Sequence, residues 1–121
     1  MKRWLGKFRC AFVGIARGLR GQDSFVVHVA VATAVLLLGA VVRPALWGWC
    51  ILLLCIAAVL SAEMFNTAIE VLARRLHPER HDDIGAALDI AAAAVLIAAI
   101  GAGIVGVLVL GDAALTRFTP N

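Results

Sequence analysis

Charge is scarce in this sequence. Asp, Glu, Lys and Arg make up 16% of its 121 residues, and they are bunched, so long stretches carry no charge at all. This excludes an ordinary soluble domain. Soluble domains are roughly 45–50% apolar, whereas this chain is 63% hydrophobic with a mean hydropathy of +0.97. A water-soluble fold of this length could not bury the excess. Cysteine is also sparse. Cys10, Cys50 and Cys55 are odd in number and have no zinc-site spacing, and the last two sit in an apolar run that reads as packed, reduced thiols. The phosphate loop G-x-x-x-x-G-K-[ST] is missing, so any nucleotide is held in another way. A cleavable leader is not expected, because charge interrupts the N-terminal apolar residues through Arg20. The net charge of +3 comes from basic residues flanking apolar runs, without the aromatic interleaving of a nucleic-acid platform. The expected partner is therefore a membrane surface and not nucleic acid.

What is present reads as one all-α membrane domain over residues 1–121. Residues 2–20 form an expected amphipathic surface helix. At 100° per residue, Trp4, Leu5, Phe8, Ala11, Phe12, Ile15 and Leu19 share a face, and Lys2, Arg3, Lys7, Arg9, Arg17 and Arg20 fall opposite. An apolar face backed by a basic one suits a helix lying in the interface of an anionic bilayer.

Three spans are expected, at 25–42, 45–65 and 85–110, each near the roughly 20 residues a bilayer requires. Arg43-Pro44 separates the first two, since proline disfavours helical geometry in the residue before it. Trp47 and Trp49 suit an interfacial belt. The second helix is expected to run on into water through Arg75. A polar turn follows from His77 to Asp83, with Asp82 or Asp83 as the cap of the next helix. The third span is rich in Ala and Gly, which let helices approach closely in lipid. A short polar tail is expected from Gly111.

Orientation follows from the cations. Six basic residues precede the first span, and Arg74, Arg75 and Arg80 lie between the second and third, against Arg43 and Arg117 on the other side. The positive-inside rule puts the N-terminus in the cytoplasm and the C-terminus outside.

Candidate chemistry lies on one helix face. Glu63, Asn66, Thr67 and Glu70 sit at i, i+3, i+4 and i+7. At 1.5 Å per residue from Ala45, Glu63 is about 27 Å along the helix, near the edge of a ~30 Å hydrocarbon core. Glu70 lies in the headgroup layer, and Asp89 opens the third span at a similar level, so three carboxylates and an amide are expected to meet there. Ionisable groups at that depth are costly and mark function. Such a set suits magnesium bound with phosphate oxygens. It also suits a glutamate that takes a proton from a lipid alcohol. Structural alternatives are an ion pair between Glu63 and an arginine, a helix-start role for Asp89, and an i, i+4 pair of Glu70 with Arg74. A small transporter would need polar residues along a path through the bilayer, whereas these gather at one interface.

The run Glu63-Met64-Phe65-Asn66-Thr67-Ala68-Ile69-Glu70 resembles the signature of the prokaryotic diacylglycerol and undecaprenol kinase family. Ile84 to Leu96 is similar to that family's second motif, and Phe8 to Ile15 to its N-terminal surface helix. The resemblance covers roughly residues 3–105. It implies a homotrimer with active sites between subunits, in the cytoplasmic (inner) membrane of a bacterium. The implied activity is transfer of the γ-phosphate of ATP, with Mg2+, to a membrane lipid alcohol. By resemblance Glu63 is the general base and Asn66 its support, Glu70 holds the metal, and Glu70, Glu79, His81 and Asp89 contact the nucleotide. Two positions depart from the pattern. Leu88 stands where the family has a phosphate-contacting Lys. Gln22 stands where a second metal-binding glutamate falls, and offers only an amide oxygen. The departures favour an alternative: an impaired member acting as a membrane scaffold or assembly partner.

Overall fold

The computed structural model describes residues 2–18, 23–76 and 81–119, which form four helices: α1 (Lys2–Gly18), α2 (Asp23–Val42), α3 (Leu46–Leu76) and α4 (Asp82–Phe118). Three of them, α2 to α4, are long and apolar enough to cross a membrane. Apolar side chains cover most of their outer surfaces, Val27, Leu37, Leu54, Ile97 and Leu108 among them. Only a lipid solvent makes such an exterior favourable.

α2 stops where expected. Arg43 adopts φ 55°, its N–H bonds to Gly39 O at 2.7 Å, and Pro44 follows. This is the left-handed helix end closed by a single bond to the last turn. The 20-residue α2 spans about 30 Å at 1.5 Å per residue. α3 and α4, with 31 and 37 residues, are longer than a bilayer core and project beyond it.

Two expectations are corrected. α4 is capped by His81, in extended geometry (φ −125°, ψ 130°) and without a side-chain capping bond, so Asp82 and Asp83 occupy the first turn. There they still favour the helix dipole. The chain after Gly111 is not a tail, because α4 runs on to Phe118. A single glycine does not end a helix, and Ala113 and Ala114 pack on the cluster of Val42, Leu52 and Leu110. Close approach within the chain involves other glycines. A Cβ at Gly101, Gly103, Gly106 or Gly111 of α4 would meet nothing within 4 Å among the described residues. The tight contacts are elsewhere. A Cβ on Gly39 would lie 2.8 Å from the Trp49 ring, and one on Gly48 would lie 2.9 Å from Pro44 Cβ and 3.0 Å from Val109 Cγ1. The small residue is needed where its partner is a rigid ring.

α1 returns to the bundle at its end. Gly18 is buried, and a Cβ there would sit 2.5 Å from Met64 Sδ. Trp4, Leu5, Phe8 and Phe12 of α1 stay exposed.

Candidate functional site beside the start of the first span

Glu63 is 2% exposed. A buried carboxylate is costly unless it is hydrogen-bonded. Here the Ser24 hydroxyl donates to Glu63 Oε1. His28 Nε2 lies 3.9 Å from Glu63 Oε2, beyond hydrogen-bond length. Ser24 and His28 are one turn apart on α2, and Ser24 is the second residue of that helix. The Glu63 carboxylate thus sits by the N-terminal turn of α2, where unpaired N–H groups and the helix dipole favour an anion. It lies level with the beginning of the first span.

One turn further along α3, Asn66 is 8% exposed and its Nδ2 donates to Glu70 Oε1 at 2.9 Å. Turning the amide over would set oxygen against oxygen, so Oδ1 is the atom facing away. Asn66 Oδ1 and the neighbouring Thr67 Oγ1 are buried without a hydrogen-bond partner among the described residues. Buried polar groups are rarely left so, and here two lie on one helix face. Glu70 is half-buried, with Arg74 Nη2 3.7 Å from its Oε2, the expected i, i+4 pair.

The other expected site residues stand apart. Asp89 is exposed on α4, and Leu88 is half-buried beside it. His81 Nδ1 lies 3.8 Å from Asp83 Oδ2 at the start of α4. Gln22 and Glu79 lie outside the described residues. Among the described residues, no three of His, Cys, Asp and Glu converge to hold a metal, so Glu63, Glu70 and Asp89 do not meet at one point within a chain. Helix geometry explains this. Seven residues separate Glu63 from Glu70, about 10.5 Å of rise, whereas ligands of one ion lie within about 2.6 Å of it. Magnesium nonetheless needs few carboxylates when phosphate supplies the remaining oxygens, and Glu70, nearer the helix end, is suited to that part.

The residues that sequence reasoning missed are Ser24 and His28. Their signal was a histidine inside an otherwise apolar span with a hydroxyl one turn before it.

A groove of about 490 Å3 runs between α2, α3 and α4. Among the described residues, His28 and Cys55 are the only polar side chains of its lining, which includes Val35, Leu52, Ala99 and Gly106. The groove therefore leads from the apolar middle of the bundle to the residue beside Glu63.

Comparison with known proteins identifies the family. The profile of the prokaryotic diacylglycerol kinase family matches residues 9–110. The chain is 36% identical over 109 residues to the undecaprenol kinase of Bacillus subtilis (strain 168), covering 87% of this chain and 89% of that one. No solved structure matches. The matched region runs from α1 to near the end of α4 and includes the whole Glu63–Glu70 face, and the chain belongs to the prokaryotic diacylglycerol kinase family.

Proposed function

We propose that the chain is an ATP- and magnesium-dependent kinase of a membrane lipid alcohol, diacylglycerol or undecaprenol, working at the cytoplasmic face of the membrane. One observation carries this reading: a fully buried carboxylate, Glu63, is oriented by a hydroxyl at the start of a span, on a helix face shared with Asn66 and Glu70. The relative's name, undecaprenol kinase, is in keeping with it.

Glu63 accepts the proton of the lipid hydroxyl as that oxygen bonds to the γ-phosphorus of ATP. The bond from this phosphorus to its bridging oxygen breaks, and ADP leaves with the electron pair. Asn66 orients Glu70 through the Nδ2 bond, and Glu70 is the residue that would hold the metal. Magnesium supplies charge neutralisation at the phosphates when bound. By resemblance to the family, Asp89, His81 and Glu79 would contact the nucleotide, and Gln22 could offer an amide oxygen to the metal.

The distribution of Lys and Arg favours a cytoplasmic N-terminus, with the exposed aromatic side of α1 on the lipid interface. A homotrimer is favoured by the exposed Gly101 of α4, where a neighbouring copy can approach closely. Cross-linking that stops at dimers would overturn the trimer.

Leu88 favours a second reading, a membrane scaffold built on the kinase fold, because its side chain brings no charge to a phosphate. The two separate in a phosphate-transfer assay in mixed micelles with ATP, magnesium and either lipid. A kinase phosphorylates one of them, and Glu63→Gln lowers the rate by about 10²–10⁴-fold, the usual worth of a general base. No product above the Glu63→Gln level with any lipid alcohol leaves the scaffold.

A further inference from the structure

We infer that Ser24 and His28 of α2 are positioning residues for phosphoryl transfer, fixing Glu63 so that its Oε2 atom receives the alcohol proton. This rests on Glu63 being the base.

The two carboxylate oxygens are not equivalent. Oε1 accepts the Ser24 hydroxyl. Oε2 faces the imidazole of His28 across 3.9 Å, too far for a direct bond. Oε1 is thus engaged by Ser24, and Oε2 is the oxygen that carries no direct bond from α2. Neither partner lies on the helix that carries Glu63: Ser24 is 39 positions away in the chain. α2 therefore sets the angle of a side chain whose backbone belongs to α3. A free glutamate has three rotatable bonds to lose on ordering, and a hydrogen bond to a charged group restrains them better than packing alone. His28 has a second contact that supports the choice of oxygen. It also lines the apolar groove between α2, α3 and α4, so the groove meets Glu63 on the His28 side, which is the side of Oε2. An alcohol carried on an apolar chain in that groove reaches Oε2 before Oε1.

Positioning residues of this kind lower kcat when removed and leave nucleotide affinity alone. Ser24→Ala is expected to reduce kcat about tenfold to a hundredfold, the scale of one hydrogen bond to a charged group. KM for ATP should stay within about twofold. Ser24→Thr, which keeps the hydroxyl, should recover most of the rate. His28→Phe keeps the ring and loses the nitrogens, and should lower kcat. His28→Gln places an amide nitrogen near the Nε2 position and should recover part of it.

The decisive measurement is a double-mutant cycle. If Ser24 and His28 act through Glu63, adding Ser24→Ala or His28→Phe to Glu63→Gln lowers the residual rate no further. Additive losses would show that the residues only support the fold and would overturn the inference. So would single variants with wild-type kcat alongside an inactive Glu63→Gln enzyme. A fully active Glu63→Gln enzyme would instead sink the reading of Glu63 as the base. If Ser24→Ala does not assemble in micelles, Ser24→Thr and the two His28 variants decide by the same kcat comparison.

Discussion

Asn66 Nδ2 donates to Glu70 Oε1 at 2.9 Å, one helical turn away, while the Oδ1 atom of the same amide is buried and unpartnered among the described residues. The side chain therefore splits its duties, with a donor turned toward the surface carboxylate and an acceptor turned inward. Asn66→Asp removes the donor and puts a second negative group against Glu70. The expected outcome is a loss of stability of about 1–3 kcal/mol, the penalty for an unsatisfied buried group. In the mixed-micelle assay a higher magnesium requirement is also expected. Thermal unfolding in detergent and a magnesium titration of the rate check the two parts separately. Unchanged magnesium dependence in the Asn66→Asp enzyme would disconnect Asn66 from Glu70.

The glycines make opposite predictions. At Gly48 a methyl group meets Pro44 and Val109 at 2.9 and 3.0 Å. Neither a pyrrolidine ring nor a β-branched side chain yields easily. Gly48→Ala should therefore destabilise by about 1–3 kcal/mol, as overpacking does. Gly101→Ala meets nothing among the described residues of its own chain and should gain up to about 1 kcal/mol from helix propensity. Comparing the two melting temperatures in micelles tests the contrast. If Gly101→Ala instead lowers the melting temperature and shifts the assembly to smaller species, copies of the chain pack at that glycine.

Leu88 is half-buried next to the exposed Asp89. Replacing it with Lys adds a charged donor where a phosphate is proposed to lie. The expected result is a KM for ATP about tenfold lower, the effect of one charge-assisted bond, with kcat for the lipid little changed. ATP titrations of the two proteins provide the check. An unchanged KM would mean that phosphate is held by other residues.

Much of the fold was legible because lipid imposes simple rules. The three spans follow from apolar runs of sufficient length, and the α2–α3 corner from Arg43-Pro44, where the structure has a left-handed φ. The end of α4 was hidden because hydropathy falls where the bilayer stops, while helix geometry continues to Phe118. Composition reports the solvent there and not the backbone. The polar face of α3 was legible from its period, since Glu63, Asn66, Thr67 and Glu70 recur at helical spacing. The link of Ser24 and His28 to Glu63 was not, because it crosses between helices, although a histidine in an apolar span marked the place. The close contacts of Gly39 and Gly48 were likewise invisible, since Gly39 meets the Trp49 ring of the next helix and Gly48 meets Val109 of α4. Counting small residues pointed to α4 and missed them.

α3 passes from Leu46 to Leu76 without a break. Two carboxylates on one stiff rod keep a fixed separation, about 10.5 Å along the axis, whatever the thickness of the surrounding bilayer. A thinner or thicker membrane shifts Glu63 and Glu70 together against the headgroups. Under the roles proposed for Glu63 and Glu70, the spacing between a lipid hydroxyl and a phosphate-bound metal would be a property of the protein, and membrane composition would govern only how far a lipid must rise to reach the first carboxylate.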